Sequence, residues 1–209
     1  MTSRLASLFV RTALALAACA ACAQPAVAPA SPPAATHVPT YVDGKLQPPA
    51  DYREWVYVST GLDMSYSARG MPGHHMFDNT FVNPEAYRVF KQTGTWPDKT
   101  MIVLEVRGGR DKGSINQRGL FQDGDVMGIE VHVKDTSRFD GGWAFFTFGD
   151  VQQPGREVEH TADCYSCHRD HAAVDTTFVQ FYPTLLPIAT TLKTLSSAYL
   201  QEQRQPTPQ

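Results

Sequence analysis

The sequence predicts an α+β domain, in which a mostly antiparallel sheet of about five strands is flanked by a few helices. Two observations support this prediction. Five short segments are rich in β-branched and aromatic residues, which is the composition of strands. Residues at helical spacing are confined to a few places between and after these segments. The predicted strands cover residues 55–60, 76–82, 100–106, 125–134 and 143–148.

The first three predicted strands differ in how clearly they alternate. Segment 55–60 is aromatic and β-branched, and a glycine- and proline-bearing loop follows it at 61–73. Segment 76–82 alternates, with Phe77 and Phe81 on one face and Asp78 on the other. Segment 100–106 is apolar on both faces except for one glutamate, and the polar stretch after it predicts a loose hairpin connection at 108–119.

A short helix is predicted between the second and third strands. Asn83 is the candidate N-cap, Pro84 the first helical residue and Glu85 an acid in the first turn. Gly94 is the candidate C-cap.

The fourth predicted strand, 125–134, has the clearest alternation in the chain. One face carries Met127, Ile129, Val131 and Val133, and the other carries Val126, Gly128, Glu130 and His132. The fifth strand, 143–148, is apolar on both faces and is therefore predicted to be central.

Two helical segments complete the predicted domain. One covers about 161–173, with Thr161 and Asp163 as candidate caps. The other covers 183–200 and is interrupted at Pro187. The domain is predicted over residues 41–200, and residues 201–209 are predicted to be a loose Gln- and Pro-containing tail.

The N-terminus has the layout of an exported protein. Two arginines precede an Ala- and Leu-rich run that is too short to span a membrane, so residues 1–23 are predicted to be a signal peptide. Residues 24–40 are Ala- and Pro-rich and are predicted to form a disordered linker. These features predict a periplasmic protein. The segment ending in Cys19 also resembles a lipobox, so the alternative is a lipoprotein held at the membrane only through Cys19.

Charge excludes one class of partner. Removing residues 1–23 leaves 16 Lys and Arg residues against 21 Asp and Glu residues, a formal charge of −5. A mildly acidic chain without a basic cluster argues against nucleic acid as a partner.

The motif Cys164-Tyr165-Ser166-Cys167-His168 points to the chemistry. This spacing is the attachment signature of a c-type haem. On a helix, residues three and four apart share a face, so Cys164 and Cys167 can bond the porphyrin while His168 binds its iron. The sequence therefore predicts one covalently attached haem c.

The residues of the motif are also compatible with zinc or with dithiol chemistry. A structural zinc site needs four ligands, and His160 or His171 would have to complete the set. A thioredoxin-like dithiol needs a βαβ context, which the predicted elements do not supply.

Several stretches in chain order resemble the cytochrome P-460 family, which includes the cytochrome c-prime-beta proteins. The stretches are 52–56, 82–87, 91–94, 133–139, 142–145 and 177–183. The resemblance implies a periplasmic, homodimeric, β-rich monohaem protein, with iron held by His168 and open on its other side. One branch of the family binds gases such as NO and CO in a phenylalanine-lined pocket. The other oxidises hydroxylamine at a haem cross-linked to a lysine, helped by a distal carboxylate.

The positions that decide between the branches disagree. By resemblance the cross-linking lysine falls at Leu104, which has no amine, and Lys99 and Lys112 are expected to be solvated lysines in loops. Glu130 falls at the position of the distal carboxylate. A desolvated carboxylate there would have a raised pKa and could accept protons. The alternation alone is equally compatible with an edge-strand acid facing water, and the resemblance favours pocket lining.

The remaining pocket residues are also inferred by resemblance. Asp78 is a second proton acceptor or a surface acid, and Phe77, Phe81 and Leu104 are expected to line the pocket. A sixth iron ligand would make a six-coordinate electron carrier instead. The available side chains are Met64, Met71, Met76, Met101, Met127, His74, His75 and His132.

Three hypotheses therefore follow. The first is a five-coordinate cytochrome that binds NO, CO or another small nitrogen-containing or diatomic ligand. The second is a hydroxylamine-oxidising enzyme with Glu130 as proton acceptor. The third is a six-coordinate electron carrier. Each would exchange electrons with a periplasmic redox partner that the sequence does not identify.

Overall fold

The computed structural model of the chain describes residues 36–65 and 73–205, which all belong to one compact unit. The predicted signal peptide, Cys19 and most of the predicted linker lie outside the described residues. The last five linker residues, 36–40, are described. Among them His37 lies against the domain, where its Nε2 is 3.1 Å from the Asp51 carboxylate and its carbonyl accepts a hydrogen bond from Asn83 at 3.0 Å.

Within residues 36–65 and 73–205, six strands form one sheet in chain order, and every neighbouring pair is antiparallel. A separate two-stranded sheet precedes it. The predicted antiparallel sheet is therefore confirmed in kind and has one more strand than expected. The strands are β1 Tyr41–Val42, β2 Lys45–Leu46, β3 Val56–Leu62, β4 Met76–Val82, β5 Met101–Arg110, β6 Phe121–Lys134, β7 Trp143–Phe148 and β8 Arg156–Glu157.

The predicted loose hairpin connection at 108–119 is confirmed, although both flanking strands are longer than predicted. Strand β5 extends to Arg110 and β6 begins at Phe121, these two residues pair, and residues 111–120 connect the strands. Polar residues suit these extensions because both strands run out beyond the cores that cover the sheet.

Four helices and two 3₁₀ turns in the described residues flank the sheet. The first helix begins and ends where the sequence predicts, with Pro84 in its first turn and Gly94 in the left-handed conformation at φ 74°. Asn83 occupies the N-cap position, but its side chain bonds the Met101 N–H at 2.8 Å instead of capping the helix. The elements are α1 Pro84–Thr93, α2 Asp163–His171, α3 Leu186–Leu192 and α4 Ser197–Glu202, with 3₁₀ turns at Tyr52–Glu54 and Val179–Phe181.

The ends of helices α2 and α3 differ from the prediction. Pro187 lies in the first turn of α3, where proline is tolerated, and the helix ends at Lys193 with φ 58°. Helix α2 begins after Ala162, and neither Thr161 nor Asp163 caps it with a side-chain hydrogen bond. No helix in the described part of the chain has the length and apolar character needed to cross a membrane.

Register divides the six-stranded sheet into two faces. Directly paired residues share a face, so Leu104, Glu130, His132 and Phe145 lie on one face, which we call face A. The other face, face B, carries the alternate residues, among them Val103, Val131 and Phe146.

Each face has its own core. The face A core joins β3 to β7 with α1 and the C-terminal segment, and it includes Phe90, Ile102, Trp143, Val179 and Leu185. The face B core packs the N-terminal segment on the sheet and includes Leu46, Tyr52, Trp55, Val131 and Phe146. Burial of a side chain such as Phe90, which is 0% exposed, contributes about 1.5–3 kcal/mol.

Strand β7 is not central, contrary to the prediction. It lies next to the two-residue strand β8 near one edge of the sheet. Its apolar residues are nevertheless buried on both faces, since Trp143 belongs to the face A core and Phe146 to the face B core. Burial from two layers, and not a central place in the sheet, explains its composition.

Candidate haem site

Helix α2 presents the Cys-x-x-Cys-His motif at the surface of the unit. Cys164 is exposed, Cys167 is half-buried, and both are free thiols. His168 follows on the same side of the helix, and its side chain is only 8% exposed. The geometry therefore places one exposed sulfur and one half-buried sulfur beside a buried imidazole on the same side of the helix.

Tyr165, inside the motif, anchors α2 to the sheet. Its hydroxyl donates a hydrogen bond to the Val158 carbonyl and accepts one from the Phe145 N–H, both at 3.3 Å. Its ring lies 4.4 Å from the ring of Phe145 and stacks on His160 at 4.2 Å. These contacts fix the helix over β7.

The His168 ring is enclosed by three other rings. Its centroid lies 4.3 Å from Phe178, 4.6 Å from Phe145 and 4.8 Å from His132. Phe145 and His132 are a directly paired couple on face A. The imidazole is thus held between the sheet and the chain that follows α2.

A backbone carbonyl orients the imidazole. Nδ1 of His168 lies 2.7 Å from the Thr176 oxygen, and a carbonyl can only accept, so Nδ1 carries the proton. The structure gives Nε2 no hydrogen bond to another described residue. This tautomer leaves the Nε2 lone pair for a metal. Histidines that bind a metal through one nitrogen usually donate a hydrogen bond from the other.

Burial keeps His132 on face A and His168, which packs against it, neutral. Desolvation lowers the pKa of His168, and the hydrogen bond to Thr176 only partly offsets it. For His132, desolvation and the nearby charge of His168 lower the pKa to about 3. A neutral imidazole is the form that binds a metal.

Beyond His132, face A carries the polar residues that the sequence singled out. Glu130 pairs directly with Leu104. Asp78 lies on the same face, where it pairs with Val106, two residues from Leu104 along β5. The structure thus brings Asp78, Leu104 and Glu130 together, on the face against which His168 packs.

The two acids on face A have raised pKa values. Desolvation is the main cause for each, and the negative charge of Asp78 further raises the pKa of Glu130. The Glu130 side chain is nevertheless exposed, since it stands on the wall of an open cavity of about 570 Å³. Val106, Met127, Thr147 and Arg156 also line this cavity.

Phe77 and Phe81 do not lie with these residues, and that prediction is corrected. Both point to face B, since they alternate with Asp78 along β4. The Phe81 ring contacts Tyr52 and Tyr57 at 5.7 and 6.0 Å on that side of the sheet. An aromatic side chain in a strand can serve either face, and only the location of α2 decides which face is the site.

Sequence reasoning missed three contributors to the site. Phe178 contacts the His168 ring, Thr176 orients it, and Arg156 is paired with Thr147, the β7 neighbour of Glu130. Phe178 lies within 177–183, a stretch that resembles the cytochrome P-460 family, and this was a usable signal. A backbone acceptor such as the Thr176 carbonyl has no signal in the sequence.

A zinc site would lack a ligand set. No group of three or more His, Cys, Asp or Glu side chains among residues 36–65 and 73–205 is arranged to hold a metal ion. His160 stacks on Tyr165, and His171 lies 3.4 Å from the Glu202 carboxylate.

The fold and the site together define a class of protein, an α+β protein that holds a Cys-x-x-Cys-His helix against an antiparallel sheet. A sequence model of the family Cytochrome P460 matches residues 49–179, which cover the six-stranded sheet and α2. The chain belongs to the cytochrome P460 family. Membership indicates a haem cytochrome, with haem and its iron as the cofactor. A search of the curated proteins found no match.

Proposed function

We propose that the protein is a periplasmic monohaem c-type cytochrome with a five-coordinate iron, and that it binds NO, CO or a related small ligand. Cys164 and Cys167 would hold the haem covalently, and His168 would be the axial ligand. The bound haem supplies an iron atom with one open position for a diatomic ligand. The observation that carries the proposal is the buried His168 imidazole, oriented by the Thr176 carbonyl with Nε2 left for the iron.

Two observations support an open sixth position. The ring of His132 is already in contact with that of His168, so the two imidazoles cannot bind opposite sides of one haem. Met101 is 4% exposed within the face B core and is therefore withdrawn from face A.

The surroundings of Leu104 support a haem without a lysine cross-link. Leu104 has no amine, and Lys99 is engaged elsewhere, with Nζ 2.5 Å from Asp135 and 3.6 Å from Asp98. On face A, the Lys134 ammonium donates to Asp175 at 2.6 Å. Both amines are held by carboxylates.

Optical spectra of the purified haem protein test this proposal. We expect high-spin spectra for the oxidised and reduced forms, a shift when CO is added to the reduced form, and haem bonded only to Cys164 and Cys167 in mass spectra of the haem peptide. A low-spin spectrum that does not change when CO is added would overturn the proposal of an open site. A strongly red-shifted reduced Soret band together with a porphyrin-to-lysine bond would overturn the gas-binding function.

Hydroxylamine oxidation is the second candidate, and Glu130 favours it. Its carboxylate has no hydrogen bond or ion pair to another described residue, and its pKa is raised by desolvation and by Asp78. Such a group is suited to accept a proton from a bound N–H or O–H.

Replacing Glu130→Gln separates the two candidates. If Glu130 is the base, hydroxylamine turnover should fall by about 10²-fold or more, which is the usual contribution of a general base, while NO affinity changes little. Asp78→Asn is the matched control and should reduce turnover less. Turnover that is unchanged in Glu130→Gln would remove the role assigned to Glu130.

The six-coordinate carrier is the third candidate because of three methionines. Met76 lies on face A by register, and Met127 lines the cavity that contains Glu130. Met64 lies against Gly61, which pairs with Asp78. Met71 lies outside the described residues. A low-spin spectrum that becomes high-spin in Met64→Leu, Met76→Leu or Met127→Leu would identify the ligand.

Assembly and location are proposed from the resemblance. We expect a homodimer in solution, which light scattering after size-exclusion chromatography would measure. Export to the periplasm would remove residues 1–23, and mass spectrometry of the mature N-terminus distinguishes this product from one lipidated at Cys19.

A further inference from the structure

A two-residue turn presents the carbonyl that orients His168. Val174 and Thr177 form an isolated antiparallel bridge, and the residues between them, Asp175 and Thr176, have φ values of 54° and 59°. Two successive left-handed residues are the pattern of a type I′ turn. The acceptor for the His168 Nδ1–H is therefore carried by an unusual piece of backbone.

The turn is unfavourable for the residues that form it. A β-branched residue such as Thr176 rarely adopts a positive φ. The Thr176 hydroxyl is also buried, and it has no hydrogen-bond partner in the part of the chain that the structure describes. A turn that combines a strained backbone with an unsatisfied buried hydroxyl persists only where surrounding contacts hold it.

Lys134 and Trp96 supply those contacts. The Asp175 carboxylate accepts hydrogen bonds from Lys134 Nζ at 2.6 Å and from the Trp96 N–H at 3.3 Å. Lys134 Nζ also donates to the Trp96 carbonyl at 2.7 Å, and Trp96 Nε1 donates to Thr177 Oγ1 at 2.8 Å. The Lys134 side chain is 16% exposed, so little water competes for it. The turn is thereby tied to the end of β6.

We propose that Lys134 and Asp175 are positioning residues for His168. Their ion pair fixes the Asp175–Thr176 turn, the turn fixes the Thr176 carbonyl, and the carbonyl sets the strength of the hydrogen bond from Nδ1. A stronger hydrogen bond at Nδ1 makes the imidazole a more basic ligand of the metal. The ion pair would therefore tune the iron–histidine bond and the reduction potential without touching the haem. This inference rests on the proposed role of His168.

The holoprotein of Lys134→Met tests the inference. Loss of the ion pair should loosen the turn, lower the iron–histidine stretching frequency in resonance Raman spectra of the reduced protein, and favour reduction. We expect the equilibrium constant for haem reduction to change by about threefold. This is a smaller factor than the roughly ten- to hundredfold cost in metal affinity or activity of removing a direct partner of a metal-bound histidine, because the ion pair acts on His168 only through the turn. Lys134→Arg should restore most of the wild-type values.

Lys99→Met is the matched control. Lys99 forms a comparable ion pair with Asp135, and Asp135 is adjacent to Lys134 but has no hydrogen bond to the turn. Its loss should lower the unfolding temperature and leave the frequency and the potential unchanged. If Lys134→Met also changes only the unfolding temperature, the pair is merely structural and the inference is wrong.

A second variant serves if Lys134→Met fails to fold. Asp175→Asn keeps the shape of the side chain and tolerates a positive φ but removes the charge, so it should shift the frequency and the potential in the same direction. An unchanged potential in this variant overturns the inference. The potential can be measured whether or not the iron is five-coordinate, whereas CO binding by the wild type separately tests the proposed function.

Discussion

Two glutamates on neighbouring strands have opposite surroundings. Glu105 on β5 points to face B, is 3% exposed, and accepts hydrogen bonds from Tyr52, Arg53 and Arg107. Glu130 on β6 points to face A and has no hydrogen bond or ion pair to another residue in the described part of the chain. The same residue type is thus fully satisfied on one face of the sheet and unpartnered on the other.

Their pKa values differ accordingly. Burial alone would raise the pKa of Glu105, but hydrogen bonds from Arg107 and Tyr52, with the charges of Arg107 and Arg53, hold it below its ordinary value. Desolvation and the charge of Asp78 raise that of Glu130. Face B therefore uses its carboxylate to bind the N-terminal segment to the sheet, whereas face A leaves its carboxylate available for protons.

Adjacent phenylalanines of β7 give the largest test of this division. Phe145 on face A and Phe146 on face B are 4% and 2% exposed, so Phe145→Ala and Phe146→Ala should each lower the free energy of unfolding by about 3–5 kcal/mol. Of these two phenylalanines only Phe145 contacts His168, so of the two variants only Phe145→Ala should alter the haem absorption spectrum. Equal spectral changes in both variants would contradict the division into faces.

Replacing each glutamate by glutamine gives the next largest effect. Glu105→Gln leaves two arginines without their carboxylate and should destabilise the protein by about 3 kcal/mol in urea unfolding. Glu130→Gln removes an unpartnered carboxylate and should leave stability at neutral pH unchanged or higher. A large loss of stability in Glu130→Gln would mean that Glu130 has a structural partner.

The two glutamates should also give opposite dependences on pH. The contribution of Glu105 is present above its ordinary pKa of 4.5 and is lost as the pH falls through its lowered folded-state value. Glu130 holds its proton longer in the folded state, so the unfolding free energy should fall as the pH rises from 4.5 through its raised pKa. Urea unfolding measured across this pH range should show that the fall in unfolding free energy with rising pH disappears in Glu130→Gln.

Introducing an amine opposite Glu130 should have the smallest effect. Leu104 pairs directly with Glu130, so the amine of Leu104→Lys should form a cross-strand ion pair that contributes about 0.2–1 kcal/mol. A double-mutant cycle with Glu130→Gln measures the coupling, and zero coupling would show that the two side chains do not meet. Mass spectra of the haem peptide from Leu104→Lys test whether this position also permits a porphyrin-to-lysine bond.

Much of the architecture was predictable because its signals are local. Pro84 and Gly94 bounded α1 correctly, and the alternation along 125–134 assigned Glu130 and His132 to one face. The end of α3 at Lys193 was not predictable, since a lysine in the left-handed conformation follows from packing and leaves no composition signal.

The candidate site was predictable only in part. The spacing of Cys164, Cys167 and His168 predicted a haem-attachment motif without any knowledge of the fold. Periodicity could not show which face of the sheet receives that helix, so Phe77 and Phe81 were expected in the pocket although they lie on face B. Glu130 and Glu105 are equally polar interruptions of apolar strands, and sequence alone does not distinguish them.

The amino-acid sequence by itself determined five strands of the main sheet, the first helix and the spacing of the Cys-x-x-Cys-His motif, because each depends on residues close together in the chain. The tertiary structure decided which carboxylate is satisfied, which face of the sheet meets His168, and which backbone carbonyl orients its imidazole. Those features depend on groups far apart in sequence, such as Arg53 with Glu105 and Lys134 with Asp175, and on backbone atoms that every residue shares.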